Sequence, residues 1–157
     1  MSRLHHASCV VFEGVGILLR GPSGAGKSDL ALRLIEAGAN LVADDQVALT
    51  PKGNRLMAQA PEALAGLLEV RGLGILTLPN LPEASIGLLV DLAPNTNIAR
   101  LPNLVETVID GVGIAALTLA PFESSAVAKL RMAAQLVNGR LQPAETALGP
   151  GLNRRSA

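Results

Sequence analysis

Aromatic side chains are nearly missing from this sequence: its 157 residues include two Phe, no Tyr and no Trp. The core is therefore aliphatic, built from Leu, Val, Ile and Ala. Little is left for base stacking, so a nucleotide bound to this chain is expected to be held mainly by its phosphates. Cysteine is equally scarce. Cys9 stands alone, which excludes an intrachain disulfide and fits a reducing, cytoplasmic compartment. An excess of one charge is also lacking. Thirteen basic and 13 acidic side chains give a formal net charge of zero, which argues against a dedicated nucleic-acid binder with its basic footprint. No apolar run approaches the roughly 20 residues of a membrane helix; the longest, 111–121, falls far short. The N-terminus, Met1-Ser2-Arg3-Leu4-His5-His6, has no apolar segment of the signal-peptide kind. Neither a nucleic-acid nor a membrane partner is expected.

What the chain does have is 49% hydrophobic residues, enough for a core without metals or disulfides. Residues 8–12 and 15–20 are apolar and β-branched and predict two strands around a Glu13-Gly14 turn. From Lys27 the period changes: Leu30, Ala31, Leu34 and Ile35 share one helical face, and Gly38 stands where a helix-ending glycine belongs. Residues 40–43 predict a strand that ends in Asp44-Asp45. Residues 46–50 and 55–60 flank Pro51-Lys52-Gly53-Asn54 and predict a hairpin. Residues 61–68 predict a short helix with proline in its first turn. Strands follow at 73–78, 86–92, 105–109 and 114–119. A last helix is predicted over 124–138, with Ala126, Leu130, Ala133 and Val137 as its buried stripe. No internal repeat is present. The pattern predicts a mixed α/β fold with a sheet of both hydrogen-bonding senses and flanking helices: one domain over 1–141 and a disordered tail over 142–157.

Gly21-Pro22-Ser23-Gly24-Ala25-Gly26-Lys27-Ser28 matches the phosphate-loop pattern at every fixed position, between a buried strand and an amphipathic helix. Glycines let the backbone curl so that successive N–H groups converge on phosphate oxygens, and the helix N-terminus adds a favourable dipole. Lys27 can reach the terminal phosphates, and the Ser28 hydroxyl can ligate magnesium. In a right-handed strand–helix–strand unit Asp44 and Asp45 lie at the same sheet edge as the loop. One of them can hold the metal and the other can take a proton from an attacking hydroxyl. Glu69-Val70-Arg71-Gly72-Leu73-Gly74-Ile75 offers a further carboxylate for a magnesium shell and an arginine for phosphoryl charge; taken alone, it reads as a surface Glu–Arg pair at a helix end. Taken alone, His5 and His6 read as exposed terminal residues, and Cys9 as a core residue. No zinc spacing occurs.

Together these stretches carry a pattern. His6 with the strand after it, Glu13-Gly14-Val15-Gly16-Ile17-Leu18-Leu19, the phosphate loop, Leu41-Val42-Ala43-Asp44-Asp45 and Leu68-Glu69-Val70-Arg71-Gly72-Leu73-Gly74-Ile75 resemble, in order and spacing, the catalytic domain of HPr kinase/phosphorylase. The resemblance covers roughly residues 4–78, and the last stretch is close to that family's signature. It implies a nucleotide-binding domain like that of phosphoenolpyruvate carboxykinase. It also implies ATP and Mg2+ as cofactors, the carrier protein HPr as partner in regulating carbon metabolism, and usually a hexamer. It implies that Lys27 binds the β- and γ-phosphates and that Ser28 and Glu69 ligate magnesium. One of Asp44 and Asp45, with Asp45 favoured, becomes the proton acceptor for the substrate serine. His6 becomes an active-site candidate, and the family's reverse reaction, phosphorolysis of phosphoserine, comes with it. With five residues before His6, the chain looks like the short, single-domain form seen in alphaproteobacteria. It departs from the family at its Arg-Pro-Gly-Arg-Asn loop, which is linked to catalysis and phosphorolysis. The counterpart here, Leu119-Ala120-Pro121-Phe122-Glu123-Ser124-Ser125, has no arginine, leaving Arg71 or Arg100 to supply charge. Two other readings stand beside the kinase: a phosphate-loop kinase of small molecules, and an ATP-binding regulator of HPr with reduced catalysis.

Overall fold

The computed structural model describes residues 1–94 and 104–143. The elements among them follow in the order β1 (Arg3–His5), β2 (Ala7–Phe12), β3 (Val15–Arg20), α1 (Lys27–Glu36), β4 (Asn40–Ala43), β5 (Val47–Lys52) and β6 (Arg55–Gln59). After a single 3-10 turn at Glu62–Leu64 come β7 (Leu67–Val70), β8 (Gly74–Thr77), β9 (Ala84–Leu92), β10 (Val105–Ile109), β11 (Val112–Leu119) and α2 (Ala126–Val137).

The apolar pair β2 and β3 forms an antiparallel hairpin, from Ala7 opposite Arg20 to Phe12 opposite Val15. β4 pairs antiparallel with the other edge of β2, so β3 and β4 run in the same sense and finish at one sheet edge. β9 lies parallel to β3, β11 parallel to β9, and β10 closes that side antiparallel. The first residues of β9 pair instead with β6, Ser85 opposite Met57 and Ala84 opposite Ala58; β5 and β1 extend that ribbon. One edge of β9 thus serves two partners in succession. The sheet forks there and curls, and it is mixed as expected.

The central strands are buried on both faces, which explains their nearly unbroken apolar runs. Ile17 and Leu19 join a core that α1 covers with Leu30, Ala31 and Leu34 and α2 with Ala126, Leu130 and Ala134. Leu18 faces a second core with Cys9, Val47, Leu49 and Leu89. Each fully buried leucine contributes about 2 kcal/mol. α2 is tied to the β2–β3 turn by Glu13, whose carboxylate accepts from the Arg131 guanidinium and from the Gln135 amide at 3.2 Å. The same guanidinium lies 4.7 Å above the Phe12 ring.

Two sequence expectations need correction. Residues 61–68 are not a helix beyond the 3-10 turn: Gly66 adopts a left-handed φ of 79°, and the chain then runs extended, with Leu68 and Val70 buried on one side of Glu69. In the α2 stripe, Ala134 is buried and Val137 only partly so. The three-residue β1 was not expected. Arg100, and all of the expected tail beyond residue 143, lie outside the described residues.

Candidate active site

β3 delivers the phosphate loop to the sheet edge and α1 leaves it. Gly24 and Gly26 take left-handed φ values of 83° and 101°, conformations that L side chains adopt only at a cost. Gly26 also admits a neighbour: a Cβ there would lie 2.8 Å from the Phe122 ring. The Lys27 side chain is enclosed by the loop, 6% exposed. Its ammonium donates to the carbonyls of Gly21 and Pro22 at 2.6 and 3.1 Å. Gly21, Pro22 and Ala25 form the frame of the loop. Ser23, Gly24, Gly26, Lys27 and Ser28 line a cleft of about 320 Å³ together with His6, Asp45, Glu69 and Arg71.

The adjacent aspartates take opposite positions. Asp44 is 7% exposed and sits beneath Ser28, whose hydroxyl donates to its two carboxylate oxygens at 2.8 and 2.9 Å. Ser8 donates to the same carboxylate at 2.6 Å and the Glu69 backbone N–H at 3.2 Å. Asp45 turns outward into the cleft with a left-handed φ of 70°, a conformation Asp tolerates better than most residues. Its side chain meets the His6 ring, with Nε2 2.9 Å from Oδ1. Its backbone N–H donates to Ser8 Oγ at 3.2 Å. The structure thus gives different surroundings to two residues that the residue pattern alone left open and the resemblance ranked with Asp45 first.

Glu69 and Arg71 belong to a hairpin, not to a helix end. β7 and β8 form a separate two-stranded sheet with Glu69 opposite Ile75. Val70 and Leu68 anchor it under α1, which sets Glu69 and Arg71 at the cleft.

Three participants escaped the sequence reading. Ser8 is fully buried and bridges both aspartates; a lone hydroxyl in an otherwise apolar strand was its signal. Phe122 lines the cleft, from the arginine-free stretch 119–125. Arg33 on α1 donates to the Pro121 carbonyl and is itself held by Asp29 at 3.0 Å. Arg20, the residue before the loop, is engaged elsewhere: it grips Asp91 of β9 at 2.8 and 3.2 Å, and that hydrogen-bonded carboxylate pushes its pKa up further.

Among the described residues no group of three or more His, Cys, Asp or Glu side chains converges on a metal position. The oxygen donors present suit magnesium, which takes one or two protein ligands and completes its shell with water and substrate phosphates. Asp44 occupies the Ser28 hydroxyl proton, which leaves the Ser28 lone pairs free for a cation, and Glu69 lines the same cleft.

A sequence model of the HPr Serine kinase C-terminal domain matches residues 1–117. The chain belongs to this family. It is 48% identical over 80 residues to the HPr kinase/phosphorylase of Clostridium tetani, covering 51% of this chain and 26% of that protein. It is 38% identical over 111 residues to the HPr kinase/phosphorylase of Mycoplasmopsis pulmonis, covering 64% and 36%. The chain spans about a quarter to a third of the length of these curated relatives. In three dimensions it is similar to the Hpr(Ser) kinase/phosphatase of Coxiella burnetii, with a TM-score of 0.74 at 25% identity over 88% of this chain and 90% of that one. The family and the mixed α/β fold anticipated from the motifs are both borne out. No helix of the described residues is long and apolar enough to cross a membrane.

Proposed function

We propose that this chain is a cytoplasmic protein serine kinase that transfers the γ-phosphoryl group of ATP to a serine hydroxyl of the carrier protein HPr. The observation that carries this reading is the division of the aspartate pair: Asp44 buried under Ser28, Asp45 held by His6 in the cleft beside the phosphate loop. The names and family of its relatives supply the acceptor protein.

Such a site has little covalent work to do; it positions the reactants and stabilises charge. The loop N–H groups and Lys27 receive the β- and γ-phosphates, and Lys27 exchanges its carbonyl partners for phosphate oxygens. Ser28 and Glu69 would hold magnesium, which would supply positive charge to those phosphates. Asp45 accepts the proton of the attacking serine hydroxyl as the new oxygen–phosphorus bond forms and the β–γ bridge breaks, with ADP as the leaving group. His6 fixes the orientation of the Asp45 carboxylate. Arg71 faces the transferred group. The homo-hexamer implied by the family belongs to this proposal.

One observation favours a second reading, an ATP-binding regulator of HPr with reduced catalysis. Among the described residues Arg71 is the single arginine lining the cleft, and Arg20 and Arg33 are engaged with Asp91 and with Pro121. A transfer assay with labelled ATP, magnesium and purified HPr, with and without inorganic phosphate, separates the readings. Label on an HPr serine supports the kinase, and its removal by phosphate adds phosphorolysis. ATP binding without label supports the regulator. Label on a small acceptor instead of HPr replaces both with a small-molecule kinase.

A further inference from the structure

We propose that the ring of Phe122 is the base platform of the nucleotide site: a purine nucleotide seated by its phosphates in the loop stacks its base on this face. The inference rests on the nucleotide reading above and extends it from the phosphates to the nucleoside.

The topology brings the ring to the right place. β3, β9 and β11 are parallel neighbours, so all three finish at the edge that carries the phosphate loop, where open α/β sheets bind their ligands. Phe122 follows three positions after Leu119, the last residue of β11. Its ring lies against Gly26, where a Cβ would approach to 2.8 Å. A nucleotide leaving the loop passes this ring.

An exposed apolar side chain on its own is ordinary. This one is held for use. Phe122 is 69% exposed although it lines the cleft, whereas the chain's other Phe, Phe12, is 1% exposed. The backbone on both sides of the ring is hydrogen-bonded: the Pro121 carbonyl accepts from Arg33, and the Glu123 N–H donates to the Ala120 carbonyl at 3.4 Å. A rigid, presented aromatic face loses little entropy on stacking. In a chain with two aromatic residues, one has been placed beside the phosphates. The expectation of a nucleotide held mainly by its phosphates is thereby amended: phosphates anchor it, and one ring receives the base.

The test compares ATP with inorganic tripolyphosphate, which has the phosphates without the nucleoside, by calorimetry in magnesium buffer. Phe122→Ala is expected to weaken ATP about 5-fold to 150-fold, the range that base–aromatic stacking spans. Tripolyphosphate should change less than about twofold, and Phe122→Leu, which keeps bulk but not the aromatic face, should behave like Ala. Phe122→Trp gives the chain its only tryptophan; ATP should quench its fluorescence and tripolyphosphate should not. Equal weakening of both ligands overturns the platform and makes the ring a prop for the loop. Unchanged ATP affinity in Phe122→Ala also overturns it. If the unmodified chain binds neither ligand, the nucleotide reading itself fails and takes the platform with it; if it binds both equally, the platform alone fails.

Discussion

The Ser28 hydroxyl lies 2.8 and 2.9 Å from the two carboxylate oxygens of Asp44 and donates to them. This contact joins the first turn of α1 to the end of β4, and it fixes the direction of the Ser28 lone pairs. Asp44 is in turn held by Ser8 from β2 and by the Glu69 N–H from β7. Four elements therefore meet on one buried carboxylate, and this makes Asp44 an anchor of the fold as well as of the site.

Asp44→Ala removes the acceptor of all three donors. Ser28 and Glu69 can recover water from the cleft, but Ser8 is fully buried, and each buried donor left unpaired costs about 1–3 kcal/mol. A loss of about 2–4 kcal/mol is expected, read as a lower urea midpoint at unchanged slope. Asp45→Ala, at an exposed position whose left-handed backbone suits Ala less well than Asp, should cost only about 1 kcal/mol. Equal midpoints for the two variants would contradict the anchor role.

The same division separates binding from chemistry. Asp45→Asn keeps the shape of the side chain but removes the proton acceptor. Transfer to HPr should fall about 100-fold to 10,000-fold, the usual worth of a positioned base, with ATP affinity nearly unchanged. Lys27→Ala should abolish transfer in a chain that still folds, since among the described residues the enclosed ammonium hydrogen-bonds only loop carbonyls. If ATP binding collapses in Asp45→Asn, that residue serves the metal and the base role passes to Asp44.

Much of this arrangement was legible because local pattern and tertiary demand agree. The strand of residues 15–20, the loop and the amphipathic face of Leu30, Ala31 and Leu34 each follow from period and glycine placement, and together they position Lys27 and Ser28. The different settings of Asp44 and Asp45 were not legible in the residue pattern, although the resemblance favoured Asp45 as the proton acceptor. The choice between them depends on a left-handed backbone at Asp45 and on Ser8, 36 residues upstream of Asp44, and neither shows in spacing. Residues 61–68 misled for a similar reason. Their opening proline suits the first turn of a helix, but the strand at Leu67–Val70 is set by burial of Leu68 and Val70 under α1 and by the bond from Glu69 to Asp44. Phe122 carried no motif, and its place appears only once β11 is seen parallel to β9.

Gly26→Ala meets two separable penalties. The φ of 101° disfavours an L side chain by about 1–2 kcal/mol, and the new Cβ would stand 2.8 Å from the Phe122 ring. The second penalty vanishes in a Phe122→Ala background, whereas the first persists. A double-mutant cycle by thermal or urea unfolding should therefore give a smaller cost for Gly26→Ala when Phe122 is absent, with a coupling of about 0.5–2 kcal/mol. Strict additivity would mean that the ring yields freely and is not held against the loop.

Cys9 lies fully buried between aliphatic neighbours in the second core, and burial pushes its thiol from an ordinary 9.0 up to about 12. The unfolded chain therefore releases this proton near pH 9 while the folded chain keeps it. Between those values the unfolded state binds fewer protons, so stability is intact below pH 9 and declines as pH rises through that window, by at most about 1.4 kcal/mol per pH unit from this group. Other groups titrate there too, so the measurement is the difference between the natural chain and Cys9→Ala, each unfolded with urea from pH 7 to pH 10.5. The advantage of the natural residue should be flat below pH 8 and shrink above pH 9. Parallel curves up to pH 10.5 would place the folded thiol near its ordinary value. Alkylation offers an independent reading: a thiol kept protonated and enclosed should react only as fast as the chain opens, so the rate with iodoacetamide should rise with urea in step with unfolding.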